Sequence, residues 1–108
     1  MAQTMPEIRR IVEAYIRNLV SLGVPVQKVF VFGSYAHGDA TDESDIDIAV
    51  VSPKFEKMSL WDKAGYLGKA AWGMPLPIDA LGYGPTQLKK VRPGTLLAEI
   101  VKNGIEIR

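Results

Sequence analysis

Residues 33–51 read GSYAHGDATDESDIDIAVV. In the second half of this stretch, apolar residues alternate with Asp45 and Asp47, which is the pattern of a β-strand with one apolar face and one acidic face. Residues two apart on a strand point the same way, about 7 Å from each other, so both carboxylates share one face. Two carboxylates held this close favour a hard cation such as magnesium, which keeps open positions for phosphate oxygens.

A Gly33-Ser34 turn precedes the acidic pair, with ten residues between them. Gly33 allows the backbone to approach a ligand closely, and Ser34 adds a hydroxyl and an amide at the start of a short helix that its side chain is expected to cap. These groups suit the β and γ phosphates of a nucleoside triphosphate. The remaining acids of the loop are typical of turns and solvated surface; they are Asp39, Asp42 and Glu43.

Upstream of this stretch, the sequence predicts a helix and then a buried strand. Thr4 and Glu7 form a capping box ahead of apolar residues spaced three and four apart, and this amphipathic helix should end at Gly23. Residues 26–32 are rich in β-branched and aromatic residues, which predicts a strand largely buried on both faces. The alternation described above predicts a second strand over residues 45–51.

Downstream, two helices and two short strands are expected. Ser59 should cap a helix whose buried stripe consists of Leu60, Trp61, Ala64, Leu67, Gly68, Ala71 and Trp72. Residues 78–81 predict a third strand, and residues 105–107 a short edge strand. Between them, residues 95–103 predict a helix that ends at Gly104 and directs inward Leu96, Leu97, Ile100 and Val101.

Length and composition limit the class of protein. With 108 residues, of which 47% are hydrophobic, the sequence predicts one domain spanning residues 1–108 around a single core. The net charge of +1 gives no reason to expect bulk binding to nucleic acid or to a membrane surface. The absence of cysteine excludes a disulfide framework, a thiolate zinc site and a thiol nucleophile. Because no run approaches the roughly 20 apolar residues of a membrane helix and no secretory signal is visible, we expect a soluble cytoplasmic protein.

The compound motif of Gly33-Ser34, a spacer and Asp45-Ile46-Asp47 resembles the signature of the DNA polymerase beta nucleotidyltransferase superfamily, especially its minimal branch. The resemblance implies an α+β fold, an α/β sandwich in which a small mixed sheet of about three to four strands packs against helices. It also implies a third carboxylate from a neighbouring strand. Asp79 is the only acid within an apolar, strand-like segment downstream, so we assign it that position.

The same resemblance implies the reaction and its cofactors. A nucleoside monophosphate, AMP from ATP, is transferred to a hydroxyl of a protein or of another acceptor, and pyrophosphate leaves. The catalytic residues are expected to bind two Mg²⁺ ions, with Mn²⁺ as the substitute; they are Asp45, Asp47 and Asp79. The expected nucleotide-binding residues are Gly33, Ser34 and His37.

His37 is a departure from the pattern, because members of the minimal branch often carry arginine at this position. An arginine fork is permanently charged and binds phosphate at two points, whereas histidine is smaller and only partly charged near neutrality. The sequence therefore predicts weaker or pH-dependent phosphate binding, and this departure bears on turnover more than on binding.

The resemblance also implies a partner. Minimal domains of this kind are commonly paired with a small helical HEPN-type protein, and act as the antitoxin that binds or nucleotidylates that toxin. The alternative is a non-catalytic nucleotide-binding or toxin-neutralising module that docks through exposed apolar residues among Trp61, Trp72, Tyr83 and the last helix. Otherwise Trp61, Trp72 and Met74 are expected in the core or in an oligomer contact, and Lys89, Lys90 and Arg92 on a solvated basic face. Both a monomer and a homodimer stay open, and no direct contact with nucleic acid is expected.

Overall fold

Four β-strands and five α-helices form residues 2–108, the part of the chain that the computed structural model describes. In chain order they are α1 (Met5–Ser21), β1 (Lys28–Phe32), α2 (Ser34–His37), β2 (Ile46–Val51), α3 (Leu60–Ala71), β3 (Ile78–Tyr83), α4 (Pro85–Lys89), α5 (Leu96–Asn103) and β4 (Ile105–Glu106). A short 3-10 helix at Pro53–Phe55 follows β2. Across this described range, every helix is too short or too polar to cross a bilayer.

The four strands form one mixed sheet in the order β3-β2-β1-β4. The central strand β1 pairs antiparallel with β2 and with β4, whereas β2 and β3 run parallel. A parallel pair needs a long crossover, and α3 provides it between β2 and β3. This arrangement confirms the α+β fold and the mixed sheet that the sequence predicted.

One face of the sheet packs against α1 and α3. The capping box at Thr4 and Glu7 is present, and Gly23 follows the end of α1 with a φ of +87°, as the sequence predicted. The Tyr15 hydroxyl donates a 2.8 Å hydrogen bond to the Leu67 carbonyl oxygen, and Asn18 Nδ2 donates one of 2.9 Å to the Ala70 carbonyl oxygen. These two bonds join α1 to α3, and therefore to the crossover that places β3.

The other face of the sheet is covered only in part. Its buried cluster consists of Phe30, Ala49, Val51 and Ile100, so α5 is the main helix over this side. Residues of β2 and β3 nearer the start of each strand are more open, since Asp47 is half-buried and Asp79 is exposed. The open end of this face is where the candidate site lies.

The predicted buried stripe of α3 was wrong. Within α3, only Leu67 and Ala70 are buried, and Leu60, Trp61 and the C-cap residue Trp72 expose 79%, 88% and 89% of their surface. Apolar residues occur on all sides of this helix, so their pattern did not define which side faces α1. The two tryptophans are therefore not core residues, whereas Met74 does pack against the core as expected.

Several boundaries also differ from the sequence prediction. In α5, Leu97 and Ile100 point inward as predicted, but Leu96 and Val101 are exposed. β1 begins at Lys28 rather than residue 26, β2 begins at Ile46 rather than residue 45, and β3 continues two residues further, to Tyr83. The helix α4 was not predicted; it begins at Pro85, and the Gly84 amide donates to Gln87 Oε1 at 2.9 Å.

We expect Tyr15→Phe to lower the free energy of unfolding by about 1 kcal/mol, because it removes one buried hydrogen bond and little volume. Tyr66→Phe is the matched control, since the Tyr66 hydroxyl makes no hydrogen bond within residues 2–108 and its ring stays under Lys54. Urea unfolding of the two variants measures the difference. Equal free energies of unfolding for Tyr15→Phe and Tyr66→Phe would show that the hydrogen bond from α1 to α3 contributes nothing to stability.

Candidate active site

The parallel register of β2 and β3 places Asp47 directly beside Asp79. Neighbouring strands lie about 4.8 Å apart, and residues in register direct their side chains to the same face. Ile46 and Ile48 occupy the buried face toward α1 and α3, so Asp47 lies on the opposite, partly open face. The structure thus brings together two aspartates that are separated by 31 other residues in the chain.

Asp45 immediately precedes β2 and belongs to the same cluster. It is exposed, and its charge acts on Asp47. Asp79 is exposed as well, because β3 is an edge strand. Its position beside Asp47, on a neighbouring strand, agrees with the place that the resemblance implied for the third carboxylate.

The electrostatics of the cluster are unfavourable without a cation. Burial raises the pKa of Asp47 above its ordinary value, and the negative charges of Asp79 and Asp45 raise this pKa further. Within residues 2–108, no lysine, arginine or histidine forms an ion pair with these aspartates. The three carboxylates therefore form a concentration of negative charge that a cation would stabilise.

Gly33 packs directly against this cluster. Its backbone has a φ of +73° and a ψ of −147°, a conformation that is essentially restricted to glycine. A Cβ atom at this position would overlap Oδ2 of Asp47 and lie 3.1 Å from Cγ. Gly33 is also the N-cap residue of α2, so the expectation that the Ser34 side chain caps this helix was wrong, because Ser34 is its first residue and no side chain caps it.

Of the three predicted nucleotide-binding residues, Gly33 is the one that packs against an aspartate. Gly33 touches Asp47, and Ser34 follows it at the start of α2. His37 is exposed at the last position of α2 and lines a cleft of about 170 Å³ with α5, whose residues there include Leu96 and Glu99. The structure brings Gly33 to the aspartates and places His37 toward α5.

The residues present fit a hard divalent cation. Asp45, Asp47 and Asp79 supply oxygen donors of the kind that Mg²⁺ prefers, and the absence of a side chain at Gly33 gives the Asp47 carboxylate its place among them. Over the described residues 2–108, no three acidic or histidine side chains converge closely enough to hold a metal ion by themselves. Because Mg²⁺ usually keeps several waters and takes substrate phosphates as ligands, this partly assembled donor set suits a cation that arrives with a nucleotide.

The sequence did not indicate a second cleft on the same face of the sheet. This cleft, of about 440 Å³, lies between Tyr83, α4 and the start of α5, and Lys90 and Arg92 are among the residues that line it. Tyr83 follows Asp79 by four positions on β3, so alternation puts both side chains on one face. In the sequence, Gly84 and Pro85 indicate the start of a helix. That helix is α4, which forms one wall of this cleft.

Comparison with known proteins identifies the family. The family described as "Nucleotidyltransferase domain" matches residues 9–107 of this chain. The chain belongs to this family. Its position in the nucleotidyltransferase family agrees with the resemblance that the glycine-serine and aspartate motif carries.

Three known proteins resemble this nucleotidyltransferase domain over different shares of its length. A Methanocaldococcus jannaschii protein named "Putative protein adenylyltransferase" is 62% identical over 26 residues, which span 24% of this chain and only 26% of that relative. The crystal structure of a "putative nucleotidyltransferase" from Sulfolobus solfataricus matches 93% of this chain and 78% of its own, at 21% identity and a TM-score of 0.66, which shows a shared fold. A crystal structure described as "toxin-antitoxin with AMP-PNP" matches 89% of this chain and 72% of its own, at 26% identity and a TM-score of 0.61.

We expect Asp47→Asn to raise the free energy of unfolding at neutral pH when divalent cations are removed with EDTA. Because the pKa of Asp47 is raised on folding, the wild type loses stability as the pH rises from the ordinary value of 3.8 through the folded-state pKa, and the loss is complete above it. The stability gap between the two proteins should therefore widen across this window and then stay constant. Urea unfolding between about pH 4 and pH 7 measures it.

The control for Asp47→Asn is Asp39→Asn, which removes one charge from the exposed loop. This variant should not reproduce the pH-dependent gap. An Asp47→Asn protein that is less stable than the wild type at neutral pH would contradict the account of repulsion given above.

We expect Gly33→Ala to be more damaging than Gly38→Ala. Gly38 has a φ of +83° with no atom within 4 Å of an added Cβ, so alanine there should cost only the left-handed backbone penalty of about 1–2 kcal/mol. At Gly33, the added Cβ must also displace the Asp47 carboxylate. Urea unfolding compares the stabilities, and calorimetric titration with ATP and Mg²⁺ should show weaker binding for Gly33→Ala alone. Equal effects in both measurements would argue against a specific role for Gly33.

Proposed function

We propose that this domain transfers AMP from ATP to a hydroxyl group of a protein, in a reaction that depends on Mg²⁺. The observation that carries the proposal is the alignment of Asp47 with Asp79, next to Asp45 and against Gly33. Membership in the nucleotidyltransferase family supports transfer of a nucleotidyl group. AMP and a protein acceptor are supported by the name of the adenylyltransferase relative, and ATP by the similarity to a toxin-antitoxin structure with AMP-PNP.

In this proposal each aspartate has a role that its position supports. Asp45 and Asp47 would hold the cation that accompanies the triphosphate, beside the Gly33-Ser34 turn that packs against Asp47. Asp79 lies on the exposed edge strand, where a large acceptor can approach it. Bound Mg²⁺ would supply neutralisation of charge on the triphosphate and activation of the acceptor oxygen.

The transfer step needs an acceptor for one proton. The acceptor hydroxyl oxygen forms a bond to the α phosphorus while the bond from that phosphorus to the pyrophosphate oxygen breaks. In this scheme a carboxylate oxygen of Asp79 would take up the hydroxyl proton. Within this scheme, His37 would act on the outer phosphates from the end of α2.

We further propose that the acceptor is a HEPN-type toxin and that this domain is its antitoxin. The toxin-antitoxin structure supports a partner of this kind. The surface of α5 supports a location for it, because Leu96 and Val101 are exposed apolar residues and Leu96 also lines the cleft with His37 and Gly33. A partner that docks on α5 would therefore border the phosphate side of the site.

The same surface favours a second candidate function, in which the domain neutralises its partner by binding alone. Exposed apolar residues on α5 would then provide the interface, and the aspartates would have no part in neutralisation. The two candidates differ in whether the partner becomes covalently modified, and in whether removal of the carboxylates abolishes protection.

The decisive experiment is intact-mass spectrometry of the HEPN-type protein after co-expression with this domain. We expect a mass increment of one or more AMP units with the wild type, and no increment with the double variant Asp45→Asn/Asp47→Asn, because the cation that carries the triphosphate then loses its ligands. Asp39→Asn, a charge change in the same loop, should leave the increment intact. An unmodified partner that both the wild type and the double variant neutralise would establish the binding module instead.

A further inference from the structure

The outer side of α3 carries four residues that the core does not use. They are Trp61, Gly65, Gly68 and Trp72, here called the tryptophan face. The two tryptophans are the most exposed large hydrophobic residues of residues 2–108, at 88% and 89%. An added Cβ at either glycine would have no atom within 4 Å. No other side chain therefore covers the helix surface between the two tryptophans, and the tryptophan side chains project above it.

Helix geometry puts these four residues in one row. Their spacings are four, three and four residues, and at 3.6 residues per turn they fall within an arc of about 60°. Leu67 and Ala70, the buried residues of α3, lie on the opposite side. The row is therefore the part of α3 that points furthest from the core.

The row reads the same in both directions along the helix, with bulky residues at its ends and glycines in its centre. If two copies of α3 pack antiparallel about a twofold axis, Trp61 of one copy meets Trp72 of the other at each end. The glycines then meet glycines in the centre, which allows the two helices to approach closely. A surface that complements itself in this way fits a second copy of the same chain.

Charges beside the row have the same symmetry. Asp62 and Lys69 are exposed and lie on one flank of α3, about 20° apart around the helix axis. In the antiparallel pair, Asp62 of one copy and Lys69 of the other would be offset by only about 3 Å along the axis, given a rise of 1.5 Å per residue. Within residues 2–108 neither side chain forms an ion pair, so both are available for such a contact.

The area is sufficient for a weak dimer. Covering four tryptophan side chains alone would remove on the order of 600–1,000 Å² from solvent. Specific interfaces begin at about 1,000–1,200 Å² in total, and the residues that flank the row would add the remainder.

We propose that the tryptophan face is a homodimer interface, in which two α3 helices pack antiparallel. The interface lies on the side of the sheet that α1 and α3 cover, whereas Asp47 lies on the other side. Both candidate active sites therefore stay open in the dimer. The inference depends on the fold and on the exposed residues of α3, and it holds whether or not the domain transfers nucleotides.

Two measurements on the full chain test association directly. Sedimentation velocity over a range of concentrations should show a monomer that converts to a dimer in the micromolar range. Trp61 and Trp72 are the only tryptophans of the sequence, so tryptophan emission should shift to shorter wavelength over the same range as water leaves them. A monomer at all concentrations with unchanged emission would overturn the proposal.

Variants identify the surface. Gly65→Gln/Gly68→Gln should abolish the dimer, because the new side chains separate the helices, and folding is not at risk since both sites are open and glutamine favours a helix more than glycine does. Leu96→Gln/Val101→Gln, on exposed α5, is the control and should leave the dimer intact. A dimer that survives the glycine changes, or dissociates in the control, would place the interface elsewhere.

Charge reversal tests the antiparallel geometry. Asp62→Lys and Lys69→Asp should each weaken the dimer by roughly three- to tenfold, because each puts like charges together, and the double variant should restore it. Failure of the double variant to recover would exclude this arrangement. A chain that stays monomeric but binds a different helical protein through Trp61 and Trp72 would likewise overturn the proposal of a second copy.

Discussion

The pairing of β2 with β3 holds two like charges side by side, and the proposed function of the domain depends on this register. Asp47 and Asp79 repel each other, so the register must be held by other contacts. On the far side of the same strands, Ile46, Ile48 and Ile78 pack in the core. A slip of one residue would turn the apolar side chains of one strand away from that core, which makes the correct pairing strongly preferred. Apolar burial therefore stabilises an acidic cluster that would not assemble by itself.

The position of β3 depends in turn on a contact outside the site. The parallel pairing requires the crossover through α3, and this helix buries only a narrow side. Tyr15 and Asn18 of α1 bond to carbonyl oxygens of α3 and fix its rotation and height. Because the rotation of α3 is fixed from α1, the tryptophan face is directed to solvent rather than to the core. Together with the core packing of Leu67 and Ala70, these two bonds contribute both to the position of β3, which carries Asp79, and to the exposure of the other side of α3.

Local sequence patterns predicted where the helices and strands lie. Which side of α3 faces inward and which strands pair in which register depend on tertiary contacts, and local patterns did not predict them. The capping box at Thr4, the alternation around Asp47 and the stop at Gly23 depend on near neighbours, and all three were predicted correctly. The inward side of α3 depends on its contact with α1, which no spacing within α3 defines. The roles at the Gly33-Ser34 turn also differ from the prediction, because the unusual backbone of Gly33, and not a hydroxyl cap, starts α2. Asp79 was placed beside Asp47 by family resemblance, since strand register is not encoded locally.

The position of His37 bears on both the proposed catalysis and the proposed binding of a partner. The side chain lies at the end of α2 and lines the same cleft as Gly33 and the α5 residues Leu96 and Glu99. Under the proposed function the aspartates would hold the cation, but no lysine or arginine of the described residues lines the cleft that contains Gly33 and His37. A basic group supplied by a partner docked on α5 would enter beside Gly33 and compensate for this. Under the proposed function, binding of the partner would then both deliver the acceptor and complete the phosphate site, so that a domain of this size need not carry either one alone.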